Sequence, residues 1–254
     1  MSRLDVSIPT PDGEARAFVF TPDMGKGPWP AVIMFMDGPA IRPALFEMAE
    51  RLASNGYYVL LPDMFWRIGP YEPINLKEAF KDEETRRAIF SKFFSSTDPE
   101  RSTRDTGAFL EWLATRPQVA GAKVGVTGYC MGGAMALRAA GNFPDRVAAA
   151  AVFHGGGLAT DAEDSPHLLA PRIKAAVLVA GADHDRGFDE AQKDRLDAAL
   201  KEAGVAAKVV IYPGARHGYA PPDMPVYDRE AAERHWREML ALFAATLKAA
   251  PTPE

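Results

Sequence analysis

Short apolar runs alternate with longer amphipathic stretches along most of the chain, and this alternation predicts the fold class. From residue 30 onward, runs such as A-V-I-M-F-M (31–36) and Y-Y-V-L-L-P-D (57–63) are separated by stretches with apolar residues at helical spacing. Apolar strands between helices are typical of a mostly parallel sheet that is covered by helices on both faces. We therefore predict an α/β protein.

The first part of the chain has a different pattern. Two strand-like runs, L-D-V-S-I and A-R-A-F-V-F, flank the turn signal P-D-G within residues 4–21. This arrangement predicts an antiparallel hairpin at an edge of the sheet. A helix is predicted from Pro43 to Ser54, where apolar residues recur at helical spacing until N-G ends the pattern. Further strands are predicted at 124–128, 147–153, 175–180 and 208–212, and a last helix at about 227–248 precedes a frayed A-A-P-T-P-E tail.

The longest interval without a predicted strand runs from about 64 to 122. It contains two helical patterns, around 76–94 and 102–115. We predict that this helical insert caps or lines a site. The chain has no repeat, low-complexity segment or linker, so one domain over residues 1–254 is expected.

Charge and cysteine content narrow the function classes. The 254 residues include 29 Lys plus Arg and 34 Asp plus Glu, and the net charge of −5 argues against nucleic acid or an anionic membrane as a partner. No apolar run approaches the roughly 18 residues that span a bilayer, and no signal-peptide core is present, so a cytoplasmic protein is expected. Cys130 is the single cysteine, which excludes an internal disulfide and a multi-cysteine metal site. No pattern indicates an oligomeric state.

The run V-G-V-T-G-Y-C-M-G-G-A-M-A-L-R (124–138) predicts a strand, a tight turn and a helix around Cys130. Gly128 and Gly132 bracket the cysteine, as in the G-x-nucleophile-x-G turn of α/β hydrolases, where larger residues would collide with the neighbouring strand and helix. The first turn of the helix would favour a thiolate through its unpaired N–H groups. A buried, inert thiol beside two packing glycines is the alternative interpretation.

Two residues downstream complete a candidate catalytic set in the order nucleophile, acid, histidine. The strand at 175–180 leads into G-A-D-H-D and places Asp183 at its carboxyl end, while His217 lies in P-G-A-R-H-G-Y just after the last strand. Ligands bind at the carboxyl ends of strands in open parallel sheets, so Cys130, Asp183 and His217 can converge there. The alternative, for each residue taken singly, is that Asp183 is a turn or cap residue and that His217 is a solvated loop histidine.

These motifs resemble the dienelactone hydrolase family, a cysteine-nucleophile branch of the α/β hydrolases. The resemblance covers nearly the whole chain and is carried by G-Y-C-M-G-G (128–133), G-A-D-H-D (181–185), G-A-R-H-G-Y (214–219) and Y-V-L-L-P-D-M-F (58–65). It implies the α/β-hydrolase fold and a Cys130–His217–Asp183 triad. It also implies hydrolysis of a small ester or lactone, with no metal or organic cofactor.

The resemblance implies roles for residues outside the triad as well. The family carries an acidic residue, usually Glu, that holds the resting thiol, and M-F-M-D-G-P-A places Asp37 at that position. Members that act on dienelactone bind the substrate carboxylate with two arginines. D-E-E-T-R-R offers Arg86, or else Arg87, as the first, but G-Y-A-P-P after His217 contains no second one. A different ester or lactone is therefore expected. Asp37 as a strand-end turn residue and Arg86 on a solvated helix face are the alternatives.

The expected reaction begins when His217 removes the thiol proton and Cys130 attacks the acyl carbon, which gives a thioester. The backbone N–H groups of Met131 and Gly38 are the candidate oxyanion hole. The non-hydrolytic alternative is a scaffold of the same family that uses Cys130 for redox sensing or merely binds a small molecule.

Other side chains are candidates for lining the pocket. H-G-G-G places His154 at the end of the strand at 147–153, where it would touch substrate or pack under the glycines. His184 stands between two aspartates, but adjacent residues on one loop rarely aim at one metal ion, so no metal site is expected. A further candidate is an aromatic wall, unless its members belong to the core: Tyr129, Phe65, Trp66, Phe90 and Phe94.

Overall fold

Eight strands form one continuous sheet in the computed structural model, which describes residues 2–23 and 25–248. The strands are Ser2–Thr10 (β1), Gly13–Thr21 (β2), Trp29–Phe35 (β3), Tyr58–Pro62 (β4), Val119–Tyr129 (β5), Val147–Phe153 (β6), Ala176–Ala182 (β7) and Ala207–Tyr212 (β8). They lie in the order β1-β2-β4-β3-β5-β6-β7-β8. The last six strands in this order, β4, β3, β5, β6, β7 and β8, are parallel to one another.

The predicted hairpin is present at one edge of the sheet. β1 and β2 pair antiparallel, and β2 joins the rest of the sheet by pairing antiparallel with β4. The hairpin places Ile8, Phe18 and Phe20 in the core, where each is at most 2% exposed. The predicted α/β architecture with an antiparallel N-terminal edge is confirmed.

Seven α-helices connect or cover these strands in the described part of the chain. They are Pro43–Ser54 (α1), Leu76–Ala79 (α2), Glu83–Phe94 (α3), Pro99–Ala114 (α4), Met131–Asn142 (α5), Glu190–Glu202 (α6) and Arg229–Leu247 (α7). Aspartate side chains fix several starts by accepting a backbone N–H of the first turn, among them Asp82, Asp98, Asp189 and Asp228. Within residues 2–23 and 25–248, no helix combines the length and the apolar character that a membrane crossing requires.

The insert differs from its predicted form in two places. The helical pattern at 76–94 is two helices, because the Asp82 side chain caps a new start at Glu83. β5 begins at Val119, inside the interval that was predicted to lack a strand, because its first residues pair with Trp29 and Pro30 of β3. The predicted tail A-A-P-T-P-E falls outside the described residues.

The parallel strands bring distant segments to one edge of the sheet. β3, β5, β7 and β8 all run in the same direction, so the residues that follow them lie at the same end. These are residues 36–42 after β3, Cys130 after β5, residues 183–189 after β7 and residues 213–224 after β8. Each candidate chemical group therefore reaches this edge on a short connection from a buried strand.

Candidate active site

Cys130 occupies a strained turn between β5 and α5. Its φ is 53° and its ψ is −117°, in a region that residues with a side chain rarely adopt. A Cβ on Gly128 would lie 1.9 Å from the carbonyl oxygen of Gly132, and one on Gly132 would lie 2.5 Å from that of Met36. The two flanking positions thus have room for glycine alone, and the predicted strand–turn–helix geometry is confirmed.

The backbone of Cys130 is held from the neighbouring strand. Its N–H donates to the carbonyl oxygen of Phe153 at 3.1 Å and to Nδ1 of His154 at 3.2 Å. His154 is fully buried, and burial lowers its pKa well below the usual value, so the ring is neutral and carries its proton on Nε2. His154 therefore supports the main chain of Cys130.

His217 faces the sulfur of Cys130. Its Nε2 lies 3.1 Å from Sγ, and its Nδ1 lies 2.6 Å from Oδ2 of Asp185. The Asp185 side chain is 7% exposed and its second oxygen accepts the N–H of Gly187 at 2.8 Å. Carboxylate, imidazole and thiol therefore form a continuous chain of contacts.

The carboxylate in contact with the histidine is not the predicted one. Asp183 accepts the N–H of Gly214 at 2.9 Å through Oδ2, and its Oδ1 lies 3.7 Å from His184. This pairing directs Asp183 toward the loop before His217, whereas two residues further along the backbone Asp185 turns toward the ring. The expected Cys130–His217–Asp183 contact is therefore corrected to Cys130–His217–Asp185.

The charge on His217 follows from these neighbours. Burial opposes the imidazolium and lowers its pKa, but hydrogen bonds to Asp185 and Cys130 outweigh burial and raise the pKa to about 10. The ring is therefore protonated at neutral pH. A protonated imidazole beside a sulfur is the environment in which cysteine reacts as a thiolate.

Asp37 is placed differently from its expected role at the thiol. Both of its carboxylate oxygens accept from the guanidinium of Arg42, with Nη2 to Oδ2 at 2.9 Å. Arg42 also donates to both oxygens of Asp223, through Nε at 2.7 Å and Nη2 at 3.0 Å. Asp37 is 2% exposed and Arg42 is 3% exposed. The expectation that Asp37 positions Cys130 is corrected, because this acid is bound to an arginine.

Three of the residues that were predicted to contact the substrate make contacts with other parts of the protein. Tyr129 is fully buried, and its hydroxyl pairs with Nε2 of His235 at 3.2 Å beneath the turn. Trp66 donates from its indole N–H to Asp105 at 3.1 Å and packs near the β1–β2 turn at Gly13. His154 supports the backbone of Cys130, as described above. Tyr129 and Trp66 are thus occupied by structural contacts, whereas Nε2 of His154, whose ring lies 5.4 Å from that of His217, has no hydrogen-bond partner among the described residues.

The remaining candidates lie on α3. Arg86 is exposed on this helix, and Arg87 pairs with Glu83 at 3.2 Å. Phe90 and Phe94 stack with their centroids 5.7 Å apart, and Phe94 lies 6.0 Å from Phe65. Among the predicted aromatic wall, these three rings thus form a cluster on α3 and the segment after β4.

The two candidate oxyanion donors follow Cys130 in sequence and the end of the neighbouring strand β3. Met131 is the first residue of α5, where N–H groups have no partner within the helix. Gly38 follows β3, which pairs with β5 such that Phe35 lies opposite Gly128. His184 is 96% exposed, and no group of three or more potential metal ligands occurs among the described residues.

Asp185, Arg42 and Asp223 are the site residues that sequence reasoning missed. D-R-G at 185–187 is a signal for a side chain that accepts its own loop's N–H, which is the contact Asp185 makes with Gly187. Arg42 and Asp223 are 181 residues apart, so no local pattern could pair them.

The fold and this arrangement define the class of protein: an α/β hydrolase with Cys130 in the turn between β5 and α5. The profile of the dienelactone hydrolase family matches residues 15–247. The chain therefore belongs to the dienelactone hydrolase family, and it is a hydrolase.

Individual relatives agree with this assignment. A protein of Methylorubrum extorquens named "Putative carboxymethylenebutenolidase" is 26% identical over 239 residues, which is 92% of this chain and 78% of that protein. The crystal structure of a "Putative Dienelactone Hydrolase" from Klebsiella pneumoniae has the same fold, with a TM-score of 0.82 at 24% identity over 96% of this chain and 98% of that one. A dienelactone hydrolase-like promiscuous phosphotriesterase from metagenomic libraries is similar as well, with a TM-score of 0.78 at 25% identity over 96% and 98% of the two chains.

Proposed function

We propose that the protein hydrolyses a small ester or lactone through a Cys130–His217–Asp185 triad. The observation that carries the proposal is the contact chain in which one ring joins a sulfur at 3.1 Å and a buried carboxylate at 2.6 Å. A base that is held by a third group and touches a nucleophile is the arrangement of covalent acyl-transfer catalysis. The substrate is a small molecule, and no step needs a metal or an organic cofactor.

Acylation begins when the thiol proton of Cys130 passes to His217. Sγ of Cys130 bonds to the acyl carbon, and the carbonyl electron pair moves onto oxygen. The N–H groups of Met131 and Gly38 stabilise this oxyanion, a contribution of several kcal/mol for well-placed donors. The intermediate collapses, the bond to the leaving oxygen breaks, and that oxygen takes the proton from His217. The products are the alcohol, which in a lactone stays attached, and a thioester on Cys130.

Deacylation restores the starting state. His217, now neutral, accepts a proton from water as the water oxygen attacks the thioester carbon. The second tetrahedral intermediate expels the sulfur as thiolate, and the carboxylic acid leaves. Asp185 holds the ring with Nε2 toward the reacting atoms and stabilises its positive charge in both halves of the cycle.

The test compares variants on one activated ester. We expect wild-type protein to hydrolyse p-nitrophenyl acetate with a burst of nitrophenol, and Cys130→Ala and His217→Ala to lose turnover. Mass spectrometry of acid-quenched wild-type protein should show an acetyl adduct that Cys130→Ala lacks. If both variants keep wild-type turnover while circular dichroism shows folded protein, the triad is wrong.

Redox sensing would require fewer of these contacts than hydrolysis does. A sensor thiol needs a reactive sulfur, but it needs neither an ordered acid behind the histidine nor candidate oxyanion donors. Reversible loss of thiol by peroxide, in protein that is inactive on every ester, is the result that would favour the sensor over the hydrolase.

A further inference from the structure

The ring of Phe94 lies directly against a candidate oxyanion donor. Phe94 ends α3 and is 45% exposed, whereas Gly38 is buried. A Cβ placed on Gly38 would lie 3.1 Å from Cζ of the Phe94 ring. An exposed aromatic ring is thus held next to the position at which the acyl oxygen of a substrate would bind.

The apolar surface continues from Phe94 along the insert. Phe90, which is buried at 7% exposed, stacks on Phe94 at an interplanar angle of 17°, and the ring of Phe80, which is 37% exposed, lies 5.9 Å from that of Phe90. We call Phe80, Phe90 and Phe94 the aromatic shelf. Exposed apolar rings that pack on a buried ring beside a reactive group mark a binding site for an apolar part of a ligand.

The order of the strands indicates which part of an ester meets the shelf. β3, which leads to Gly38, lies on one side of β5, and β8, which leads to His217, lies on the other side. The leaving oxygen must receive its proton from His217 and so lies on the β8 side of Cys130. The carbonyl oxygen would then bind at Gly38 on the β3 side, and the acyl group, which is bonded to the same carbon, would lie near Phe94.

The charges near the shelf do not form a carboxylate clamp. The Arg42 guanidinium is already shared by Asp37 and Asp223. Arg86 is exposed on α3 and precedes Phe94 by eight residues, which is about 12 Å along the helix axis. Neither arginine is placed to bind a carboxylate at Phe94, so an acidic acyl group there would be desolvated against an aromatic ring.

We propose that the aromatic shelf is the acyl subsite of this hydrolase and that it takes an uncharged, apolar acyl group, either an alkyl chain of several carbons or an aryl ring. This inference rests on the hydrolysis proposed above. Phe94 is the specificity-determining residue, since its exposed ring is the member of the shelf that touches Gly38.

The first experiment measures kcat/KM of wild-type protein on three esters with the same leaving group: p-nitrophenyl acetate, p-nitrophenyl hexanoate and the p-nitrophenyl monoester of succinic acid. Hexanoate should exceed acetate by about tenfold, the discrimination that one small apolar pocket provides. The succinate monoester, which carries a carboxylate, should fall below hexanoate.

The second experiment removes the ring. Phe94→Ala should lower the hexanoate-to-acetate ratio of kcat/KM by about tenfold, mainly through KM, because the lost contact is made with the acyl chain in the ground state as well as in the transition state. Leu168→Ala is the matched control. Leu168 is also an exposed apolar side chain, at 53%, but lies on the short 3-10 helix Pro166–Arg172, and its substitution should leave the ratio unchanged.

An unchanged ratio in folded Phe94→Ala protein would overturn the inference. A wild-type preference for the succinate monoester that Arg86→Ala removes would also overturn it. Either result leaves the triad standing as long as Cys130→Ala is inactive on all three esters. Turnover that survives in Cys130→Ala would instead contradict the proposed hydrolysis itself.

Discussion

At the scale of single residues, the two aspartates after β7 have different surroundings. The Asp185 side chain is 7% exposed and contacts His217, while that of Asp183 is 34% exposed and accepts the N–H of Gly214. We expect Asp185→Asn to lower kcat by about 100-fold or more, because an amide neither fixes the productive tautomer nor stabilises the imidazolium. Steady-state kinetics on p-nitrophenyl acetate measure this loss.

Asp183→Asn is the matched control for that variant. It makes the same change of charge and shape two residues away, but the carboxylate it removes has no contact with the ring. Its kcat should stay close to that of the wild type. Equal losses in the two variants, or a larger loss for Asp183→Asn, would contradict the assignment of Asp185 as the acid.

The protonation of His217 is a second prediction at this scale. Burial lowers its pKa, and the contacts with Asp185 and Cys130 outweigh burial and raise it to about 10. Since this is above the value of about 6.5 for an unfolded chain, the resulting stabilisation is fully present below pH 6.5 and is lost as the pH rises through about 10. NMR titration should show a protonated ring at pH 8.

Two variants distinguish the contacts that raise the pKa of His217. Asp185→Asn should move the titration of His217 to lower pH, because the hydrogen bond to this carboxylate is the strongest of the contacts that favour the imidazolium. Asp183→Asn should leave the titration in place. A wild-type ring that titrates near the unperturbed value would show that the contacts with Asp185 and Cys130 do not hold in solution.

Sequence could identify two members of the proposed triad but not the third. Cys130 and His217 are each marked by a local pattern, since glycines flank the first and a short loop after a strand carries the second. G-A-D-H-D offers two carboxylates at almost the same distance from β7. The choice depends on the path of the loop, in which His184 adopts a positive φ of 52°, and on Gly214 from another segment. Neither the path of this loop nor the contact with Gly214 can be predicted from the spacing of residues in the sequence.

At the scale of elements, the turn between β5 and α5 should tolerate no side chain on its glycines. A Cβ on Gly132 would lie 2.5 Å and 2.6 Å from the carbonyl oxygens of Met36 and Phe35. Gly132→Ala must push α5 away from the end of β3, and we expect a loss of about 1–3 kcal/mol in the free energy of unfolding. Urea denaturation measures this loss, and kcat should fall because both candidate oxyanion donors move.

Gly107→Ala is the control for Gly132→Ala, because it makes the same substitution within a helix. A Cβ on Gly107 of α4 would meet the Phe143 ring at 3.4 Å, which is ordinary contact, and alanine is favoured over glycine in a helix interior by roughly 0.5–1 kcal/mol. Its stability should be equal to or above that of the wild type. Wild-type stability of Gly132→Ala would contradict the close approach of α5 to β3.

Elements with their own sequence signals were predictable, and those that depend on a distant partner were not. The Pro43–Ser54 helix has its apolar stripe and N-G stop, and its predicted bounds are those observed. The start of β5 at Val119 depends on Trp29 of β3, which is remote in sequence. The interruption between α2 and α3 had a local cause in Asp82, but the apolar spacing that continues through 76–94 concealed it.

At the scale of the whole molecule, Arg42 joins two segments that both border the candidate site. Asp37 lies just after β3, beside the candidate oxyanion donor Gly38, and Asp223 lies in the segment that follows His217. Arg42 is 3% exposed and donates to both carboxylates. The arginine thus links the oxyanion side of the site to the base side across 181 residues of sequence.

We expect Arg42→Met to cost about 3–5 kcal/mol in the free energy of unfolding, the usual loss when one partner of a buried ion pair is removed. Methionine keeps the packing of the aliphatic part of the arginine side chain. The loss of stability therefore measures the cost of leaving the Asp37 carboxylate buried without a counter-ion. Asp223→Asn should cost less, because the Asp223 side chain is 33% exposed and Arg42 keeps Asp37. Urea denaturation of the three proteins measures both differences.

A double variant decides whether the unpaired charge is the cause. In Arg42→Met the remaining Asp37 carboxylate is desolvated, so converting it to a neutral amide should recover part of the stability: Asp37→Asn combined with Arg42→Met should be more stable than Arg42→Met alone. If the loss instead came from the packing of the guanidinium, the second substitution would add a further loss. An additive result would therefore mean that the Asp37–Arg42 contact contributes no coupling energy and that the loss in Arg42→Met comes from packing.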